Sequence, residues 1–228
     1  MLKLAVLISG RGSNMIELVK AIQDNHLRAK ITIVVSNKNC AGINDAAKLG
    51  IPTKVIERQN FTSRREHDAA IQDAVNTANA NFVFLAGYMA VLGDEFINAF
   101  AGRLVNIHPS LLPNFKGLNT HERAINANAK RHGATVHMVT DKLDDGPIII
   151  QAELPVLPQD DSDNLAARVL QLEHQLYPFV LKNLCDKSLK LTADKVSWHQ
   201  QEINNQAALA STGSHFSQAL RWPSVETI

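Results

Sequence analysis

Asn106 and His108, two residues apart with Pro109 directly behind them, are residues whose types and spacing suggest chemistry. Two-residue spacing on an extended strand sends both side chains to one face. A proline cannot donate a ladder hydrogen bond, so pairing stops there and leaves the pair at a strand end. An amide beside an imidazole supplies a neutral hydrogen-bond donor and a proton donor or acceptor. Together they can hold the oxygen of a tetrahedral intermediate in acyl transfer. The competing structural reading is a core histidine and an asparagine that both bond backbone. Further on, Asp144-Asp-Gly-Pro147 offers a carboxylate that could accompany a charged imidazole. Taken alone it is also an ordinary turn, and spacing does not choose between Asp144 and Asp145.

A second candidate is Ser9-Gly-Arg-Gly-Ser-Asn14. Glycines let backbone approach a ligand closely, and free N–H groups at a helix start favour an anion. A phosphate monoester held by Gly12, Ser13 and Asn14 is the preferred reading; a tight turn with a capped helix is the plainer one. The dinucleotide fingerprint is incomplete, because Met15 stands where a third glycine belongs and Ser36-Asn37 stand where an acid would hold a ribose hydroxyl.

These residues need a scaffold, and the hydrophobic pattern supplies one. Short apolar runs at residues 4–8, 31–35, 53–56, 82–86 and 104–107 read as buried parallel strands, and 134–139 as a further strand. Stripes at Met15, Leu18, Val19 and Ile22, and at Ala70, Ile71, Ala74, Val75 and Ala78, mark crossover helices. A third stripe runs from Leu165 to Val180, where Pro178 should kink the helix or end its regular hydrogen bonding. Residues 148–154 follow a turn too closely for a crossover, so they should return antiparallel. The expectation is an α/β fold, doubly wound and mostly parallel, with helices on both faces and an antiparallel edge. Residues 1–190 read as a single catalytic domain, and 191–228 as a C-terminal extension, polar and partly irregular.

With 23 Lys+Arg against 22 Asp+Glu over 228 residues, the formal charge is +1. No global field draws the chain to nucleic acid or an anionic membrane, so any anion is bound locally. Cys40 and Cys185 lack metal or disulfide spacing, and the first apolar run is too short to span a bilayer. A cytoplasmic protein is expected. No H-E-x-x-H or paired cysteine spacing points to a metal. His137 is placed to support the site, whereas His121, His132, His174 and His199 are expected at the surface or around it. A monomer and a homodimer are equally compatible with the sequence.

Asn106-Ile-His-Pro-Ser-Leu-Leu-Pro113 followed by Gly117 resembles the signature of the folate-dependent formyltransferases. The similarity extends through the glycine loop, Leu85 to Leu92, the acidic loop and Glu173-His174, about residues 1 to 190. It implies catalysis by Asn106, His108 and Asp144, with 10-formyltetrahydrofolate as donor. It also implies a folate pocket from Met89, Ala90, Val91, Leu92, Thr140, Asp141, Lys142 and Leu143, with Arg64 at the folate's acidic tail. Glu173 would hold the acceptor. Within the family, the Gly-Ser-Asn loop and short chain resemble the branch whose acceptor is 5'-phosphoribosylglycinamide, in purine biosynthesis. The chain departs from the family pattern at Ala90, Asn119 and Met138. A formyl-folate hydrolase and a non-catalytic nucleotide-binding module remain as alternatives. The hydrolase leaves the glycine loop idle, and the module has no use for Asn106, His108 and Asp144 together.

Overall fold

Leu4, Ala5, Val6, Leu7 and Ile8 have no solvent-exposed surface, a burial only a strand covered on both faces can achieve. They form β1 (Leu2–Ile8), central in the first of two units of a computed structural model that describes residues 1–223 and 226–227. The units are Met1–Asn106 and Ile107–Ile228.

In the first unit the elements alternate as α1 (Ser13–Asp24), β2 (Ala29–Ser36), α2 (Ala41–Lys48), β3 (Thr53–Val55), α3 (Arg64–Thr77), β4 (Phe82–Leu85), α4 (Asp94–Ala99) and β5 (Leu104–His108). Every pairing here is parallel, in the order β3-β2-β1-β4-β5. The direction of winding reverses between β1 and β4, and the crevice outside the carboxyl ends at such a reversal is where open α/β sheets take ligands. Met15, Leu18 and Val19 of α1 and Ile71, Ala74 and Val75 of α3 are buried, as their periodicity predicts. Ser63 caps α3 by accepting from Glu66 N–H at 3.2 Å. Helices α2 and α4 are shorter than the span over which a helical period can be read.

The second unit contains α5 (Thr120–Asn126), β6 (Arg131–Met138), β7 (Ile148–Pro155), α6 (Ser162–Cys185), β8 (Leu189–Leu191), β9 (Val196–Trp198), α7 (Gln200–Ser211), α8 (His215–Ala219), β10 (Leu220–Arg221) and β11 (Glu226–Thr227). Strand β7 runs antiparallel to β6, and β10 antiparallel to β7; β8 and β9 pair antiparallel in a small sheet of their own, with β11 parallel on β9. The class is the doubly wound, mostly parallel α/β architecture with antiparallel strands that the hydrophobic pattern predicts.

Helix α6 carries Pro178 inside and continues to Cys185. The missing bond and ring clash cost roughly 3 kcal/mol. Burying Leu176, Tyr177, Val180 and Leu181 around it returns about 1.5–3 kcal/mol per large apolar side chain, so packing outweighs the backbone defect. The polar tail folds as α7, α8 and β10. Trp198 anchors the region, donating from Nε1 to Ile149 O at 3.0 Å with Trp222 edge-on at 4.8 Å.

Strands β6 and β7 approach closely at Gly133, where an added Cβ would lie 2.0 Å from Ala152 O. Gly133→Ala should therefore cost about 3 kcal/mol or more, read as a lower midpoint in denaturant unfolding; an unchanged midpoint would show that the two strands can separate without loss.

Candidate active site

Asp144 sits in the loop between β6 and β7 with φ of 49°, a left-handed conformation uncommon outside glycine and enriched in Asp and Asn. That turn aims the carboxylate inward. Oδ2 accepts from Gly117 N–H at 2.9 Å and lies 3.5 Å from His108 Nδ1, and Oδ1 lies 3.7 Å from His137 Nε2. The far nitrogens of both rings face backbone carbonyls: His108 Nε2 meets Phe115 O at 3.0 Å, and His137 Nδ1 meets Met138 O at 2.9 Å. A carbonyl only accepts, so each of those nitrogens carries a hydrogen and the near nitrogens are left to face the acid. The neighbouring Asp145 points elsewhere. It pairs at the surface with Lys116, whose bond and charge hold it below the usual carboxylate range. The geometry thus separates two adjacent aspartates that spacing alone could not.

Burial governs the other imidazoles. His137 is pushed down to about 4 by desolvation, against weaker upward pulls from the Met138 carbonyl and Asp144. At neutral pH it is an uncharged ring presenting a lone pair to the acid. His132 is fully buried and is also pushed down to about 4, first by burial and then by His121 and His108. It meets His121 at 3.2 Å, so these two imidazoles pack within the second unit and His132 is no surface residue. Thr135 Oγ1 donates to Ser110 O at 2.6 Å and accepts from Leu112 N at 3.1 Å, tying the segment after His108 to β6.

In the first unit, Gly12 caps α1 with φ of 72° and no side-chain cap bond. A helix start without a side-chain cap favours an anion at its first turn. The loop is held down from α2, where Gly42 N donates to Gly10 O at 3.1 Å and a Cβ on Gly42 would reach 2.9 Å from that same oxygen. Ser13 opens α1, and Asn14 beside it is buried. The segment after β4 lies against this loop, with Ser9 N donating to Gly87 O at 3.1 Å. Met89 and Val91 are exposed there, whereas Leu92 is buried. Arg64 opens α3 and flanks Gly93.

Asn106 is the last residue of the first unit and His108 stands two residues on along β5. In the second unit, Thr140, Asp141, Lys142 and Leu143 form the loop that delivers Asp144, with Leu143 exposed and near Gly117. Glu173 is buried on α6, and burial followed by its charge raises the Tyr177 hydroxyl well above the ordinary range. Among the departures from the family pattern, Asn119 takes φ of 54° at the start of α5 and Met138 is buried on β6. Pattern reading did not supply the backbone roles of Gly117 N and Phe115 O, nor Gly42. Among the described residues no group of three His, Cys, Asp or Glu could hold a metal, and no helix is long and apolar enough to cross a membrane.

A family model described as formyl transferase matches residues 2–181. The phosphoribosylglycinamide formyltransferase of Haemophilus influenzae is 43% identical over 192 residues, covering 84% of this chain and 91% of that one. The Escherichia coli protein of the same name is 40% identical over 191 residues, 83% of this chain and 90% of its own. Among solved structures, the phosphoribosylglycinamide formyltransferase from Coxiella burnetii superposes with a TM-score of 0.82 at 42% identity, covering 86% of this chain and 92% of that one. The one from Brucella melitensis gives 0.77 at 45% identity, covering 81% and 95%.

The buried imidazoles set a pH dependence of stability. For His132 and His137 the folded value, about 4, lies below the ordinary 6.5. The unfolded chain then binds more protons between those limits, so their contribution is complete above 6.5 and is lost as pH falls toward 4. At pH 5 the loss should be about 2 kcal/mol for each. Denaturant unfolding at pH 7.5 and pH 5 should show the drop, and His132→Phe, which cannot charge, should lose about 2 kcal/mol less; equal losses in both proteins would refute the assignment.

Proposed function

The chain belongs to the formyl transferase family, and from that membership we propose that it transfers the formyl group of 10-formyltetrahydrofolate to the amine of 5'-phosphoribosylglycinamide, a cytoplasmic step of purine biosynthesis. The catalytic portion is residues 1–190, the rest being an extension. The observation that carries the chemistry is the meeting of His108 with Asp144 at 3.5 Å while His137 stays uncharged beside the same acid.

In this reading the amine attacks the formyl carbon, a C–N bond forms, and negative charge develops on the formyl oxygen. The Asn106 amide and the protonated His108 ring receive that oxygen, which replaces the Phe115 carbonyl as the acceptor on Nε2. The ring's charge is balanced by Asp144 through Nδ1. Asp144 accepts the proton the amine gives up, and one proton returns to the folate nitrogen as its bond to the formyl carbon breaks. Because neutral His137 offers only a lone pair toward Oδ1, it cannot neutralise the acid, and Asp144 stays free to serve His108 and the amine. Fixed donors aimed at a developing oxyanion in a buried site contribute more than in water, since they need no reorganisation.

Substrate binding follows the elements. Gly12, Ser13 and Asn14 at the uncapped start of α1 take the phosphate, and Glu173 takes the acceptor's amine or ribose. Met89, Ala90, Val91 and Leu92 and the loop Thr140, Asp141, Lys142 and Leu143 receive the folate, whose acidic tail pairs with Arg64. The exposed side chains of Met89, Val91 and Leu143 supply apolar surface for a flat heterocycle.

Folate deformylation should require 5'-phosphoribosylglycinamide. Turnover without the amine would favour a hydrolase, and silence under both conditions a binding module. Asn106→Ala should lower kcat by about 10²–10³ with an unchanged circular dichroism spectrum. Asp144→Asn should be comparably severe, whereas Asp145→Asn breaks only an exposed pair and should leave kcat within about threefold.

A further inference from the structure

Ser9 follows β1 directly with 3% of its surface exposed, and its hydroxyl is committed on both sides. It donates to Asn37 Oδ1 at 2.7 Å and accepts from Met89 N–H at 2.8 Å. The N–H of the same residue donates to Gly87 O at 3.1 Å. Ser9 is thus bonded twice to the segment after β4, while its own chain runs directly into Gly10–Asn14. Asn37 stands just past β2, where a dinucleotide-binding chain would keep an acid for ribose; here its side-chain oxygen is turned onto Ser9 instead.

The far end of that segment is fixed separately, by Asp68 Oδ2 accepting from Gly93 N–H at 2.8 Å. Between the two anchors Met89 and Val91 project into solvent with 69% and 63% of their surface exposed. Their side chains contribute little packing, and with Leu92 buried only at the far end, the path at Met89 rests on its polar anchor. The Ser9 anchor is shared with the glycine loop.

We infer that Ser9 is a positioning residue that couples the two substrates, because its hydroxyl makes the order of the glycine loop and the order of Met89–Leu92 one event. The inference rests on the proposed substrates. Phosphate in the glycine loop fixes Ser9, and Ser9 then holds the Met89 amide in place for the folate. The second ligand meets a segment already ordered, so the conformational cost is met once and affinity rises in both directions by the same factor. A serine that merely satisfied buried backbone would alter stability, or both affinities separately, without changing their ratio.

Tetrahydrofolate and 5'-phosphoribosylglycinamide cannot react, since neither carries a formyl group, and they serve as the probe. The dissociation constant of tetrahydrofolate, measured by calorimetry with and without saturating ribonucleotide, should fall about fivefold or more in the unaltered protein. In Ser9→Ala, which removes the acceptor for Met89 N–H, the two constants should agree within about twofold. Asn37→Ala leaves the hydroxyl but frees it to rotate, so it should show the same loss and carries the test if Ser9→Ala fails to fold. Asp68→Ala frees the other anchor, together with the His67 ring that Asp68 Oδ1 meets at 3.3 Å, and leaves Ser9 intact, so it should weaken tetrahydrofolate binding while keeping the ratio. A ratio preserved in both the Ser9 and Asn37 variants, or lost in the Asp68 variant, overturns the coupling, as does a ratio of one in the unaltered protein. A protein that binds neither ligand overturns the substrate reading and this inference with it.

Discussion

Burying a carboxylate costs several kcal/mol unless donors meet it, and the second unit is arranged around meeting the one on Asp144. Gly117 donates a backbone N–H to it at 2.9 Å, and the rings of His108 on β5 and His137 on β6 stand 3.5 Å and 3.7 Å from its oxygens. The loop after β6 presents the carboxylate to these contacts with residue 144 in a left-handed turn. The strain of that turn is small, of order 1–3 kcal/mol, against the cost of leaving the acid without partners. The loop therefore has little freedom to relax, and the imidazole of His108 inherits its orientation from it together with the Phe115 carbonyl.

The unequal treatment of two imidazoles facing one acid gives the site its direction. His137 is enclosed by β6 and bonds its own neighbour's carbonyl, so burial keeps it uncharged. His108 sits at the strand tip, where Pro109 has ended the ladder and the ring borders a loop instead of a sheet. The same residue type is thus placed in two different surroundings beside one acid, and the difference is position along a strand.

Much of the fold was legible because parallel strands buried on both faces leave apolar runs that need no context to interpret. The strand predicted at residues 4–8 appears as Leu2–Ile8, and that at 82–86 as Phe82–Leu85. That α6 runs on past Pro178 depends on the packing around it, about which local backbone chemistry carries no information. Short α2 and α4 left no readable period, and polar α7 has none of its residues buried, so no apolar stripe marked it. At the site, His108 and the acidic turn stood out by residue type, and the signature pointed to Asp144. The turn by itself did not separate Asp144 from Asp145; a single φ angle and a lysine at position 116 do so. Contributions from N–H and C=O groups, as at Gly117 and Phe115, leave no mark in side-chain identity and were invisible beforehand.

Strand β10 lies against β7 at Ala152 and Gln151, and Arg221 reaches Glu153 beside it. Backbone groups on a bare strand margin are a template for other chains. Here the polypeptide lays its own final segment over that margin, so the adhesive line is occupied from within. The stretch of margin at Ala152 and Gln151 is thereby closed to a strand from a neighbouring molecule, like the selvedge of a cloth.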